Sequence, residues 1–228
     1  MTRIVGGRWR GRRLATPAGG TTRPTSEKVR AALASSLTAT GGLVGAAVLD
    51  LYAGSGALGL ELVSRGAASA VFVERDRAAL LALRANVAAL GRSAPGSTTP
   101  GSRDPGTRGR GPDELDAPLL TVIPGDVAAC VSRLGAGGAG GAPGGVPAGV
   151  GPTVRPFDVV LADPPYDQAD AELFGVLLAL HRAGLLAVQA DLVTERGVKS
   201  GEPAWPDPLE GVRARRYGDT LLCYGRAP

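Results

Sequence analysis

The chain is poor in the residues that build covalent cross-links and metal centres. Its 228 residues include two cysteines, Cys130 and Cys223, far apart in sequence, and one histidine, His181. So few thiols argue against a disulfide scaffold or a zinc site and fit a reducing cytoplasm, with both cysteines as small core residues. His181 falls late in a predicted helix and reads as structural, so acid–base chemistry by histidine is not expected. No apolar run approaches the roughly 20 residues that a bilayer span requires. Residues 1–7 lack the apolar core of a signal peptide.

Acids are nearly missing from one end. Residues 1–30 hold eight basic side chains and one acid, Glu27, a net +7, whereas the remaining 17 basic and 20 acidic residues sum to −3. Positive charge confined to one end marks a phosphate-contacting surface. Arg3, Arg8, Arg10, Arg12 and Arg13 around Trp9, followed by Arg23 and Lys28, are the candidate contacts. The plainer readings are a solvated charged terminus and an ordinary helix start.

Two stretches carry no apolar period. Residues 92–117 are rich in Gly, Ser, Thr and Pro, and residues 135–151 contain nine glycines, two prolines and no charge. Neither can offset its ordering entropy by burial, so both read as flexible surface insertions, the second running to about residue 155. The rest alternates strand and helix. Strands are expected at 46–51, 69–73, 119–123, 157–162 and 191–195, and helices at 56–65, 76–90, 126–134 and 170–181. Two last strands, 212–217 and 220–224, are separated only by Gly218 and Asp219, which requires an antiparallel hairpin. This is an α/β pattern, a Rossmann-like mostly parallel sheet with helices on both faces. Ahead of it lie a basic segment, residues 3–14, with Gly6, Gly7 and Gly11 as bend points, and a helix over 22–37 that Thr25 can cap. The expected organisation is a basic N-terminal extension, residues 1–40, and a larger domain, residues 41–228, interrupted at 92–117 and 135–155.

Asp50-Leu51-Tyr52-Ala53-Gly54-Ser55-Gly56-Ala57-Leu58-Gly59 joins the first strand to the first helix, and Gly54, Gly56 and Gly59 satisfy G-x-G-x-x-G. Glu74 follows 20 residues after Gly54, at the end of the second strand. Glycines that admit a ligand to the backbone, with an acid for ribose hydroxyls, indicate an adenosyl cofactor without saying which. Asp50 and Glu61 add negative charge near the loop, which disfavours the pyrophosphate of NAD and suits a cationic sulfonium. Glu61 can equally favour the helix dipole, and Asp50 can be a turn residue. Asp126 after the third strand can accept from an adenine amino group or serve as a plain helix N-cap.

Asp163-Pro164-Pro165-Tyr166 follows the apolar run at 157–162, at the strand end where open α/β sheets hold ligands. The prolines remove backbone donors and leave fixed carbonyls to accept. A carboxylate, a fixed carbonyl and an aromatic ring can together hold a flat base by its exocyclic amino group. The same residues can also simply terminate a strand.

With the glycine loop, Glu74, Asp126 and Asp163–Tyr166 in this order, the chain resembles a class I S-adenosylmethionine-dependent methyltransferase. Asp-Pro-Pro-Tyr is that class's signature for methylating amino groups of bases. Residues 3–14 (Arg-Ile-Val-Gly-Gly-Arg-Trp-Arg-Gly-Arg-Arg-Leu), residues 22–30 (Thr-Arg-Pro-Thr-Ser-Glu-Lys-Val-Arg) and the tail Arg216-Tyr217-Gly218-Asp219-Thr220 narrow the resemblance to the RsmD family. Its members methylate N2 of one guanine in 16S ribosomal RNA. The resemblance implies a seven-stranded sheet in the order 3-2-1-4-5-7-6 with the last strand antiparallel. It implies S-adenosylmethionine, converted to S-adenosylhomocysteine, at Asp50, Tyr52, Ala53, Gly54, Ser55, Gly56, Glu74, Arg75, Asp126 and Val127. It implies the target guanine at Asp163, Pro164, Pro165 and Tyr166, and rRNA of the small subunit on the N-terminal basic residues. No metal, no membrane and a monomer are expected. The rivals are an N6-adenine methyltransferase, an NAD-dependent oxidoreductase and a non-catalytic RNA-binding protein.

Overall fold

A computed structural model of the protein describes residues 2–17, 26–39, 41–91, 118–137, 155–165 and 168–228. The first insertion, most of the second, and Arg23, Thr25 and Tyr166 lie outside the described residues. In chain order the elements are β1 (Thr2–Arg3), β2 (Arg13–Leu14), α1 (Glu27–Ala39), β3 (Ala47–Leu51), α2 (Ala57–Ser64), β4 (Ser69–Glu74) and α3 (Arg77–Gly91). They continue as β5 (Leu119–Pro124), α4 (Val127–Gly137), β6 (Phe157–Ala162), α5 (Asp170–Arg182), β7 (Leu186–Gly197), β8 (Glu210–Tyr217) and β9 (Thr220–Arg226).

The main sheet runs β5-β4-β3-β6-β7-β9-β8. Counted within that sheet this is 3-2-1-4-5-7-6, the order the resemblance implies. Strands β3 to β7 pair in parallel, and β9 is antiparallel to both β7 and β8. Parallel strands covered on both faces need apolar residues at nearly every position. Accordingly, all five residues of β3 are buried. Alternation then sends Val48 and Leu161 to one apolar cluster, beside α1, α2 and α3, and Leu49 and Val160 to another, beside α4 and α5. Both cysteines are buried and unpaired. Among the described residues no helix is long and apolar enough to cross a membrane.

Several elements differ from expectation at their ends. Helix α1 starts at Glu27 rather than residue 22, and the hydroxyl of Ser26 accepts the Val29 N–H at 3.2 Å. Helix α4 runs on to Gly137, three residues beyond its expected end at 134. Strand β7 is twelve residues long and extends N-terminally through Leu186–Gln189, where Gln189 has φ of 60° and the register with β6 shifts between Phe157 and Val159. Gly218 and Asp219 do form the tight turn of the β8–β9 hairpin.

The basic segment pairs as a two-stranded antiparallel ribbon, Thr2 opposite Leu14 and Arg3 opposite Arg13. Its apolar residues Ile4, Trp9 and Leu14 belong to the same cluster as α1 and α2, so the extension shares the core of the larger domain. Helix α2 holds it. The Glu61 carboxylate, 1% exposed, accepts the N–H groups of Val5 and Gly6, each at 2.8 Å, and pairs with Arg65 at 2.9 Å. Ser64 accepts the Trp9 N–H at 2.9 Å and donates to the Gly6 carbonyl at 2.6 Å. Glu61 is thus spent on the extension, and its expected contribution to the cofactor loop's charge falls away. Trp9, at 3% exposure, packs in that cluster and anchors the ribbon from beneath.

Candidate active site

The order of strands reverses between β3 and β6, and ligands of open α/β sheets bind outside the carboxyl ends at such a switch point. The glycine loop leaves β3 here and Asp163-Pro164-Pro165 leaves β6. Strand β4 delivers Glu74 and β5 delivers Asp126. A cleft of about 710 Å³ lies beside them, lined by Tyr52, Arg75, Asp126, Val127, Pro165 and Gln168 and by residues of α4 and α5; the loop glycines, Glu74 and Asp163 stand outside its lining. Its size lies within the range of small-molecule and cofactor sites.

Each glycine of the loop meets a distinct constraint. Gly54 and Gly56 have φ of 56° and 78°, the left-handed region that other residues adopt only at a cost. Gly59 brings α2 onto the sheet. A Cβ there would stand 2.6 Å from the Phe72 ring and 2.9 Å from the Asp50 carboxylate. Tyr52 adopts φ of 59°, and its hydroxyl accepts from Gln168 Nε2 at 2.7 Å, which ties the loop after β3 to the chain beyond β6. Ala53 hangs from β4 through its N–H to the Val73 carbonyl at 3.0 Å.

Asp50 lies beneath the loop. It is 1% exposed, and its Oδ2 accepts the Gly59 N–H at 2.9 Å. Burial pushes its carboxyl up to about 7, the Gly59 hydrogen bond opposes this, and the charge of Glu74 adds to it. An acid whose native pKa exceeds its unfolded value of about 3.9 holds its proton more tightly when folded. Its stabilisation is complete below the unfolded value and is lost as pH rises through about 7. The stability of the parent protein relative to Asp50→Asn should therefore fall by roughly 1.4 kcal/mol per pH unit between about 4 and 7. Urea unfolding of both proteins across that window checks it; a constant difference would put Asp50 in the ordinary carboxylate range.

Glu74 is more occupied than its sequence position suggests. Its Oε2 accepts the Gly54 N–H at 2.7 Å, and its Oε1 accepts the N–H groups of Arg75 and Asp76 at 2.8 and 2.7 Å. A carboxylate has about four acceptor sites. Roughly one is left, on the oxygen that also shapes the glycine loop, so a second ribose hydroxyl would have to displace the Gly54 N–H. Asp126 divides its two oxygens. Oδ1 caps α4 through Ala128 and Ala129 at 3.0 and 3.3 Å, while Oδ2 stands 3.7 Å from Arg75 at the cleft. The cap and the ligand reading are therefore compatible. Val127 is buried at the floor of the same turn.

Asp163 and Pro164 are partly buried and Pro165 is exposed. Of the basic candidates, Arg3, Arg8, Arg10, Arg12, Arg13 and Lys28 reach the surface at least in part. Arg3 also makes a 3.4 Å contact with Glu27. Arg30 is a structural member of the same charge run. It is 1% exposed and donates to the Arg3 carbonyl at 2.8 Å, and burial lowers its pKa against the pull of Glu61 and Glu27.

Two residues outside the motifs join these parts. Gln168 holds Tyr52. Asn86, 3% exposed on α3, accepts the Ala15 N–H at 2.7 Å and donates to the carbonyls of Ala15 and Ser55 at 3.0 and 2.9 Å. It links the basic ribbon to the glycine loop. A polar residue on the helical face of Leu83 and Leu90 is its one visible signal in the sequence.

Residues 2–102 and 150–226 match the family described as "Conserved hypothetical protein 95". In sequence the chain is 49% identical over 88 residues to "Ribosomal RNA small subunit methyltransferase D" of Escherichia coli strain K12, covering 39% of this chain and 43% of that protein. A protein of the same name from Haemophilus influenzae is 36% identical over 88 residues, covering 39% and 45%. The chain thus spans less than half the length of the curated relatives it matches. In structure it resembles the "Putative methyltransferase yhhF from Escherichia coli" with a TM-score of 0.67 and 26% identity, over 99% of this chain and 97% of that one. The family match, spanning the basic ribbon, the glycine loop and the strand that ends in Asp163, establishes that the chain belongs to the family described as conserved hypothetical protein 95, the RsmD family of methyltransferases.

Proposed function

We propose that the protein is an S-adenosylmethionine-dependent methyltransferase acting on the exocyclic N2 amino group of one guanine in 16S rRNA of the small ribosomal subunit. The observation that carries this reading is the meeting of the glycine loop and Asp163-Pro164-Pro165 at one switch point, beside a cofactor-sized cleft that Tyr52, Asp126 and Pro165 border. The donor set fits S-adenosylmethionine. Glu74 retains an acceptor site for a ribose hydroxyl, Asp126 turns Oδ2 to the cleft beside Val127, and a partly ionised Asp50 beneath the loop favours a cation over a pyrophosphate. When bound, this cofactor supplies an electrophilic methyl group on a sulfonium.

The chain's own residues prepare the acceptor. Guanine N2 is a weak nucleophile because its lone pair is delocalised into the ring. Asp163 and the Pro164 carbonyl accept its two hydrogens and draw the nitrogen toward tetrahedral geometry, which localises the lone pair. Asp163 also stands where the proton released by the nitrogen can be taken up. Tyr166 stacks on the base, a contact worth ~1–3 kcal/mol. Most of the rate enhancement is positioning. The base must be unstacked from its RNA to enter. In this reading residues 1–40 form the RNA-binding part, with Arg3, Arg8, Arg10, Arg12, Arg13, Arg23 and Lys28 on phosphates, and the enzyme works as a monomer in the cytoplasm. Two buried, unpaired cysteines support a reducing compartment.

The test is incubation with radiolabelled S-adenosylmethionine and small ribosomal subunits lacking the modification, followed by mapping of the label. Label on N2 of a single guanine is expected. Label on adenine would pass the function to an N6-adenine methyltransferase, and no transfer to RNA would end the proposal.

A further inference from the structure

The loop after β6 borders a second crevice, of about 30 Å³, on the side away from the glycine loop. Pro164 and Pro165 with Asp170 and Leu173 of α5 line one side, and Glu195, Arg196 and Gly197 near the end of β7 line the other. Strand β7 lies beside β6 with Thr194 opposite Ala162. Asp163 and Glu195 therefore stand level at the ends of neighbouring strands. The alternation that turns Leu161 and Val193 into one cluster carries Asp163 and Glu195 to that same side. Glu195 is 8% exposed, and its Oε1 accepts from Thr220 Oγ1 at 3.4 Å. Arg196 points to the opposite face, where it pairs with Asp170 at 2.5 Å.

We infer that Glu195 is the specificity residue for guanine, accepting the N1–H of the target base while Asp163 and Pro164 hold N2. The assignment rests on the methyltransferase reading above. Guanine presents N1–H and N2–H as adjacent donors on its Watson–Crick edge, whereas adenine presents a donor beside the bare acceptor N1. Neighbouring strands lie about 4.8 Å apart, so two level carboxylates bracket such an edge. A carboxylate only accepts. Against guanine both acids are satisfied; against adenine Glu195 meets a lone pair. A site built to bond a donor rejects analogues lacking it far more strongly than an apolar pocket rejects a methylene. The tetrapeptide alone selects an amino group on a flat ring, and Glu195 adds the choice of ring.

Small subunits reconstituted with 2-aminopurine in place of the target guanine test this, because 2-aminopurine keeps the 2-amino group but has an acceptor at N1. The parent enzyme should prefer guanine by at least about 10²-fold in kcat/KM. Glu195→Gln can both donate and accept at this position, so the preference should collapse by at least tenfold, about 1.4 kcal/mol, with S-adenosylmethionine affinity unchanged. Glu195→Ala should lose activity on guanine and keep its activity on 2-aminopurine. An unaltered preference in Glu195→Gln, or equal losses on both bases in Glu195→Ala, overturns the assignment alone. A parent enzyme that labels no guanine overturns the methyltransferase reading and this assignment with it.

Discussion

Asp163→Ala should bind S-adenosylmethionine as the parent does and transfer almost no methyl group, with kcat lowered by about 10²–10³-fold or more. The two halves of that expectation have separate structural origins. The acids proposed to hold the cofactor, Glu74 and Asp126, respectively close β4 and follow β5, while Asp163 follows β6, partly buried beside two prolines. Removing its carboxylate takes away the acceptor that reshapes the amino nitrogen and leaves the glycine loop in place. Asp163→Asn, whose amide oxygen still accepts, should retain more activity than the alanine variant. Single-turnover transfer at saturating cofactor, alongside calorimetric titration of S-adenosylmethionine, measures both. Near-normal turnover in Asp163→Ala would refute the role given to this residue.

Gly7→Ala should destabilise the protein by about 3 kcal/mol or more and detach the basic ribbon. Gly7 has φ of 77°, and a Cβ there would stand 1.9 Å from the carbonyl oxygen of Ser64 and 2.3 Å from its carbon. These are backbone atoms of α2, so no side-chain rotation relieves the clash. The same carbonyl accepts the Arg8 N–H at 2.7 Å. Lifting the ribbon would also strip the Val5 and Gly6 N–H groups from buried Glu61. Affinity for RNA should fall with it, and the slope of log affinity against log salt should become shallower by about one unit for each phosphate no longer neutralised. Replacing Arg10, Arg12 and Arg13 together by Ala offers the complementary case, a shallower slope with stability nearly unchanged. An unchanged slope in both variants would place the RNA surface elsewhere.

The central strands are legible in the sequence almost to the residue. Strand β6 matches its apolar run at 157–162, and β3 and β4 differ by one residue at an end, because strands covered on both faces declare themselves as continuous apolar stretches. The caps Asp76 and Asp126 are legible for a related reason: each is a short acid just before an apolar-periodic run, and each accepts N–H groups two or three residues on. Strand β7 reads short from sequence, because Gln189 and a register shift against β6 separate the apolar run at 185–188 from the strand expected at 191–195. Glu61 misleads, since a helix's sequence does not say what lies against each of its faces.

The sequence by itself determined the local chemistry: the glycine loop, the acids closing strands, the proline stop after Asp163 and the confinement of positive charge to one end. Each is a relation among residues a few positions apart, set by backbone sterics, caps and the two periodicities of helix and strand. Tertiary structure decided the partnerships across long separations. It put Glu61 under Val5 and Gly6, hung both Ala15 and Ser55 on Asn86, and stood Glu195 level with Asp163. Those neighbours depend on strand order and on which face a crossover helix covers. Both follow from how the whole chain buries its apolar surface, which no local pattern records.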